Sequence, residues 1–528
     1  MGGLGAAMLL PLQETPLSEL DQRIFDARIP ADHYLRQVLH LVSFDCCHEL
    51  ARGCYSPDQG RPALTPVRLF KFQFLRFHYN LSDREVINDA GVNLAYRLFL
   101  GLGLDDDLPD PSLLSKFRTR LGSQLFQKIF DDILAQARGR GLVKDRLRLK
   151  DATHVIADVA IPSTLALVAQ TRNRLLAAVE PFDADWATQQ RAKALAVRTA
   201  TADLKDEERL LQRVTHLRCL LLEVDDLRQR LGPCPADPEP QRWRLEQAYR
   251  HAQQLLGDRD DPSKGDKLGS CVDDEARWGK HGGAFLGYQV DIAEDADSEL
   301  ITRIHVLPGN GDEGADVASL IREEEQAHGN DVQGVSQDGA GFRGDLLREL
   351  QDPQGLNLEV TVPPPAEPAA TGRFGPERFS LEVIDGQEVL RCPAGQQTSS
   401  RERNSNATGY KYRFADKTCA DCPLRGQCVD AKTKGGRRVI KNEYEKEYQA
   451  ARAHAQTEKY REVRRQHPRV ERKLAELVRW HGGRRARFRG RARVLVQFLV
   501  TAVVVNVKRM VKLLTTAAVR AEVAEAVG

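Results

Sequence analysis

One acid stands out in the most basic stretch of this 528-residue chain. Arg461 to Arg493 holds thirteen Arg or Lys and three acids, Glu462, Glu471 and Glu476, a net +10 in 33 residues. A charge run of this density is a footprint for phosphate, although solvated charged helices are the commoner source of such runs. In a helix, Glu471 shares a face with Leu474, Ala475 and Val478, at spacings of 3, 4 and 7. Glu471 is therefore expected to point toward the protein body, with Glu476 on the surface. An inward acid needs a partner for its charge, and a metal ion can supply it.

Two further acids occupy positions next to strands. Asp151 lies in or at the end of an alternating, β-branched segment, RLRLKDATHVIADVA (146–160). A lone Asp beside a strand is most often a turn residue. Asp338 follows the short strand of VQGVSQDGAGFRG, at the strand end where α/β proteins commonly carry functional groups. Three carboxylates are hard donors suited to Mg²⁺ or Mn²⁺. Two such ions can activate a water or a 3′-hydroxyl and stabilise the leaving oxygen of a phosphodiester. Spacing alone does not bring the three acids together.

The elements that must position them read as follows. From Pro66 the pattern is helical: Phe70, Phe74 and Phe77 recur among basics, Ser82 and Glu85 form a capping box, and Gly91 sits where a turn between helices is expected. A helix-turn-helix and an ordinary bundle fit this pattern equally. Residues 163–262 are helical again, with a 4-3 seam through Leu210, Val214, Leu217, Leu221 and Val224. They predict a helical hairpin inserted into another domain. GYQVDIAED and LITRIHVLP alternate as a β-hairpin after a basic Gly-rich loop. Residues 363–455 form a second insertion with Cys392, Cys419, Cys422 and Cys428 in a C-x26-C-x2-C-x5-C pattern. Four thiolates can close a structural zinc site, and four unligated thiols fit the same spacing.

Composition sets bounds. The formal charge of +2 makes the basic surface local, and ten Cys without a secretory context point to a reducing compartment. The start, MGGLGAAMLLPL, lacks a basic n-region, and Ala6 fails the myristoylation pattern. The longest apolar run, Val494 to Val505, is 12 residues and interrupted by Gln497 and Thr501. A span needs about 20, so a buried core helix and no membrane partner are expected.

These segments resemble a known family. KDATHVIAD is similar to the first-Asp strand of bacterial insertion-sequence transposases of the DDE type. ARWGKHGGAFLGYQVDIAEDADSELITRIHVLPGN is similar to their hairpin, VSQDGAGFRGDLLREL to the second-Asp segment, and HPRVERKLAELVRW with the following basic loop and Asn506-Val-Lys-Arg to the Glu helix and closing helix. Phe342 and Phe488 stand where that family often has Tyr. The resemblance implies an α/β RNase H-like catalytic core with an all-α N-terminal domain, a helical insertion and a Cys-rich insertion. The core is assigned to 146–162, 270–362 and 456–515, after an N-terminal segment (1–66) and a helical DNA-binding-type domain (67–145), with a tail at 516–528. It implies a catalytic triad of Asp151, Asp338 and Glu471 holding two Mg²⁺ or Mn²⁺ roughly 3.5 to 4 Å apart. It further implies cleavage of the element's ends and joining to target DNA. The partners are then double-stranded DNA (terminal inverted repeats and target) and further copies of the chain, in the cytoplasm at the nucleoid. Arg484, Arg485, Arg487, Arg489, Arg491 and Arg493 are assigned to the DNA backbone. A metal-dependent nuclease without strand transfer and an inactive, domesticated DNA-binding protein are the alternatives.

Overall fold

The structure is a computed structural model. It describes residues 7–9, 11–12, 16–236, 238–263, 265–365, 373–384, 386–404, 408–430 and 432–527, with side chains up to 516. Ala6 and the side chains of most of the 516–528 tail lie outside the described residues.

A helical layer comes first. Strand β1 (Ala7–Met8) pairs in parallel with β2 (Arg61–Pro62), which flank α1 (Glu19–Arg28), α2 (Tyr34–Leu41) and α3 (Cys46–Ala51). Then follow α4 (Pro66–His78), α5 (Asp83–Val92), α6 (Leu94–Leu100) and α7 (Ser112–Gly139). Thr65 caps α4 by accepting from the Arg68 N–H, and Pro66 opens its first turn, where a missing N–H costs nothing. Aromatics on all sides of α4 make it the buried centre of the layer. The Ser82–Glu85 capping box forms as expected. Gly91 does not make the turn: it lies inside α5, and the chain breaks two residues later at Asn93, whose side chain caps α6.

The mixed sheet is built from β3 (Arg148–Ile156), β4 (Arg277–Lys280), β5 (Ala284–Asp295), β6 (Ile301–Pro308), β7 (Gly334–Ser336) and β8 (Glu359–Thr361). Its order is β6 or β4, then β5, β3, β7 and β8. The pairs β5–β6, β4–β5 and β3–β5 are antiparallel, whereas β3–β7 and β7–β8 are parallel. The expected hairpin is β5–β6, and the basic loop before it contributes the extra strand β4.

Between β3 and β4 lie α8 (Thr164–Val179), α9 (Ala184–Ala200), α10 (Asp206–Arg230) and α11 (Pro240–Asp260). Four helices replace the predicted hairpin. The seam on α10 faces α8 as well as α11, and the helices share an apolar core of their own. Helices α12 (Val317–His328) and α13 (Gly344–Leu350) accompany β7 and β8. The Cys-rich segment contains two small sheets: β9 (Ser380–Ile384), β10 (Gln387–Arg391) and β11 (Gln397–Thr398) in one, and β12 (Arg401–Arg403), β13 (Tyr410–Arg413) and β14 (Arg438–Lys441) in the other. The short α14 (Asp416–Ala420) and α15 (Arg425–Cys428) lie between β13 and β14.

The chain closes with α16 (Glu445–His454), α17 (Glu458–Gln466), α18 (Pro468–Trp480) and α19 (Arg491–Val527). By length and composition Arg491–Thr516 is apolar enough to cross a membrane, but 83% of its apolar window is buried inside the protein, against α4, α7 and β6. It is the core helix its interrupted apolar run predicted. The buried Asn506 side chain pins it to the sheet, accepting from the Ile301 N–H and donating to the Ile301 carbonyl, both at 2.8 Å. The N-terminal helices, the β3–β5–β6 face and α18–α19 therefore share one continuous apolar core.

Candidate active site

Register places two of the predicted acids side by side. In the parallel pair β3–β7, Leu149 stands opposite Ser336. Asp151 and Asp338 each lie two residues further along, on the same faces as Leu149 and Ser336. Asp151 sits in the middle of β3, half-buried, and among the described residues accepts only its neighbour Ala152's N–H, at 2.8 Å. Asp338 is exposed just past β7, capping the turn Gly339–Gly341 and accepting from the Ala340 N–H at 3.1 Å.

The third acid comes from α18, which packs across β3. Buried His467 anchors the start of this helix, its Nδ1 lying 3.2 Å from the Ser336 hydroxyl of β7. The Arg464 guanidinium donates to the Gln337 carbonyl at 3.0 Å, a second tie between the segment of Asp338 and the helix of Glu471. Nothing in the sequence marked His467 or Ser336 for this role, because the contact joins segments on either side of the Cys-rich insertion.

The side chain of Glu471 does not enter the apolar stripe. The buried residues of α18 are Val470, Lys473, Leu474 and Leu477, so the stripe is rotated from the predicted 471–474–475–478 face. Glu471 lies at its margin, exposed to solvent. Glu476, expected on the surface, is the more enclosed of the two: it joins α18 to α19 through Lys473 (3.3 Å) and Lys508 (2.6 Å). The rotation follows from Lys473, whose ammonium enters the protein beside Glu476 and whose stem packs with the apolar residues.

Electrostatics connect the three acids. The Asp151 carboxyl is pushed up to about 6, first by burial, with the negative charges of Asp338 and Glu471 acting in the same direction. Among the described residues none of the three forms a salt bridge, in a chain with 77 Arg and Lys. The Ala152 N–H and the nearby Lys150, itself paired with Asp291, pull the other way; three carboxylates without a direct ion pair are a donor set suited to hard divalent cations. Among the described residues no three or more His, Cys, Asp or Glu side chains are placed to hold a metal ion, so the expected ligands Asp151, Asp338 and Glu471 do not form a closed ligand set in this structure.

The basic loop after α18 runs along the far end of β3, where Ile156 exchanges backbone hydrogen bonds with Arg484 and Ala486. Its six arginines divide. Arg484 donates to the His154 carbonyl at 2.8 Å, and Arg487 donates to the Leu81 carbonyl at 2.7 Å and lies over the Phe77 ring. Both are engaged inside the protein. Arg485, Arg489, Arg491 and Arg493 are exposed, with Arg489 near Asp158. Phe488 receives the guanidinium faces of Arg76 and Arg118, joining the loop to the helical layer, and Phe342 stacks on Tyr448 at 5.1 Å.

Cys392, Cys419, Cys422 and Cys428 line one small cavity of about 20 Å³ with Phe379, Phe414 and Arg437. The Arg437 backbone N–H donates to the Cys419 sulfur at 3.4 Å. Burial pushes the Cys428 thiol up, and the other three cysteines act on it in the same direction. The four thiols thus line one cavity, but among the described residues they are not gathered closely enough to hold a metal ion.

Comparison with known proteins was made on this basis. Residues 391–511 match the family described as Transposase DDE domain. Residues 23–120 match the family described as Transposase domain (DUF772). The first match begins within the Cys-rich segment and runs through Glu471 to α19, without reaching Asp151 or Asp338. No curated protein and no solved structure matches the chain. The helical layer and the segment carrying Glu471, matched independently, both indicate a DDE transposase of the insertion-sequence type.

Proposed function

We propose that this transposase cuts the DNA ends of its insertion element and joins them to target DNA, using Asp151, Asp338 and Glu471 as ligands for two Mg²⁺ or Mn²⁺ ions. The observation that carries this reading is the parallel register of β3 and β7, which aligns Asp151 with Asp338, while α18 with Glu471 packs across β3. When bound, divalent ions polarise the phosphoryl oxygens and make water or a 3′-hydroxyl a competent nucleophile at neutral pH. The strand order, an antiparallel hairpin leading into three parallel strands, supports an RNase H-like core.

The protein's own contributions follow from the site. Asp338 and Glu471 are open to solvent, so a duplex can reach them. Arg485, Arg489, Arg491 and Arg493 hold the DNA backbone at the far end of β3, and such contacts position without reading sequence. Water attacks the phosphodiester at the element end, breaking the P–O3′ bond and freeing a 3′-hydroxyl. That hydroxyl then attacks a target phosphodiester, forming one P–O bond as another breaks. Pairing two ends requires more than one copy of the chain on double-stranded DNA, at the nucleoid in the cytoplasm. Drawn together around one ion, the four cysteines that line the small cavity would form a structural zinc site.

The test incubates purified protein with an end-containing duplex, a target plasmid and Mg²⁺. Cleavage and strand-transfer products are expected. Cleavage without transfer identifies a nuclease, and binding without cleavage identifies a DNA-binding protein.

A further inference from the structure

The face of α18 turned away from Glu471 carries an unexplained aromatic residue. Trp480 is 70% exposed at the end of the helix. Leaving an indole in water forgoes one of the larger gains available from apolar burial. Around it, Arg472, Ala475, Glu476, Arg479 and Lys508 line a shallow cavity of about 450 Å³.

The charges here are not self-compensated. Glu476 lies four residues after Arg472 and three before Arg479, the spacings that favour pairing on a helix. It pairs instead with Lys473 and Lys508. Among the described residues, Arg472 and Arg479 form no salt bridge or side-chain hydrogen bond. Two guanidiniums without an ion-pair partner among the described residues, one of them also acting at a distance on Glu294, therefore line one cavity with an exposed indole.

From these observations we infer that Trp480, Arg472 and Arg479 form a second DNA-binding site that takes an unpaired nucleotide, its base stacked on the indole and its phosphates on the two arginines. Duplex bases already stack on one another, so an indole platform selects a base that has left the helix or belongs to a single-stranded end. The guanidiniums supply charge without sequence preference. Nine residues separate Glu471 from Trp480, a rotation of about 180° on a helix. The nucleotide held here is thus not the one at the catalytic carboxylates but a neighbouring stretch of DNA passing around α18. The inference rests on the proposed action on DNA, and not on the metal ligands.

The experiment titrates the full-length protein into a short fluorescein-labelled oligothymidylate and, separately, a labelled duplex, in EDTA so that no cleavage occurs. W480A is expected to weaken oligothymidylate binding roughly 5- to 100-fold, the loss of one base–aromatic stack, while W480F stays within about 3-fold. Duplex affinity is expected to stay unchanged in both. R472Q and R479Q are each expected to reduce the slope of log K against log salt by about 0.7 for the single strand. Parental oligothymidylate affinity in W480A overturns the inference. So does a change in sedimentation mass without a change in affinity, which makes the patch a contact between protein chains. Because binding is read without metal, failure of the catalytic assay leaves this result standing, and the reverse also holds.

Discussion

At the scale of single residues, the prediction concerns charge at fixed shape. D151N and E471Q keep size and hydrogen-bonding capacity but remove the charge a hard cation needs. Both are expected to lower Mg²⁺-dependent cleavage of an end-containing duplex by at least about 100-fold, with duplex affinity at fixed salt unchanged or tighter. E476Q breaks the ties to Lys473 and Lys508. It is expected to cost about 1 kcal/mol of stability while cleavage persists, and equal cleavage losses in E471Q and E476Q mean the third carboxylate is wrongly assigned. Asp151 adds a pH dependence. Its folded value, about 6, lies above its ordinary value of 3.8. The folded state therefore binds the proton more tightly than the unfolded chain, and this contribution to stability is present below pH 3.8 and lost as pH rises through about 6. In EDTA, D151N is expected to raise the melting temperature at pH 8 relative to the parent and to leave it unaltered at pH 3. Cleavage by the parent protein is expected to fall at acid pH, where protons compete with the metal for this carboxylate, and more Mg²⁺ is expected to move that fall to lower pH.

Elements are held in place by buried polar groups whose partners come from distant segments. Asn506 satisfies both backbone groups of Ile301, so N506A leaves a buried donor and acceptor without partners. It is expected to cost about 1–3 kcal/mol in urea unfolding. A cost near zero means that α19 is not docked on β6 through this side chain. Glu294 of β5 shows the opposite condition. It is fully buried, both carboxylate oxygens lack a hydrogen-bond partner, and burial pushes it up to about 8 against the pull of Lys473 on α18. The sign is the same as for Asp151: the protonated group stabilises the fold at low pH, and that contribution disappears as pH rises from 4.5 through about 8. E294Q removes the titration, so its unfolding free energy is expected to exceed the parent's at pH 9 and to match it near pH 4. Identical pH profiles for parent and E294Q place the carboxylate in contact with water.

For the whole molecule, the two inserted units make separable predictions. Helices α8 to α11 bury their own apolar residues against one another. Replacing 163–262 with a short Gly/Ser linker is therefore expected to leave the remaining chain folded, with a cooperative melt and near-native circular dichroism. Global unfolding on deletion shows instead that the sheet depends on the bundle. The cysteine unit is expected to carry zinc at one ion per chain by metal analysis. Chelation, or C422S, is expected to lower the melting temperature of this segment, since a structural zinc site contributes folding free energy directly. Purified protein without zinc refutes the assignment.

Residue type and local pattern by themselves determined a good part of this protein. The capping box at Ser82, the alternation of β5 and β6, the core helix after Val494 and the three candidate acids are all local signals, arising from one turn of helix or one strand. Where the deciding contact lay far away in sequence, local pattern misled or was silent. It placed a turn at Gly91 that Asn93 makes, and it saw one seam on α10 where three helices converge. It also pointed Glu471 inward, because a periodicity argument treats Lys473 as polar and cannot see its stem accepted into the core beside Glu476. The adjacency of Asp151 and Asp338 depends on parallel pairing of β3 with β7 across the whole helical insertion, and the setting of α18 depends on His467 meeting Ser336. Register between distant strands and the rotation of a helix on a sheet are decided by packing against partners, and only the tertiary structure supplies those partners.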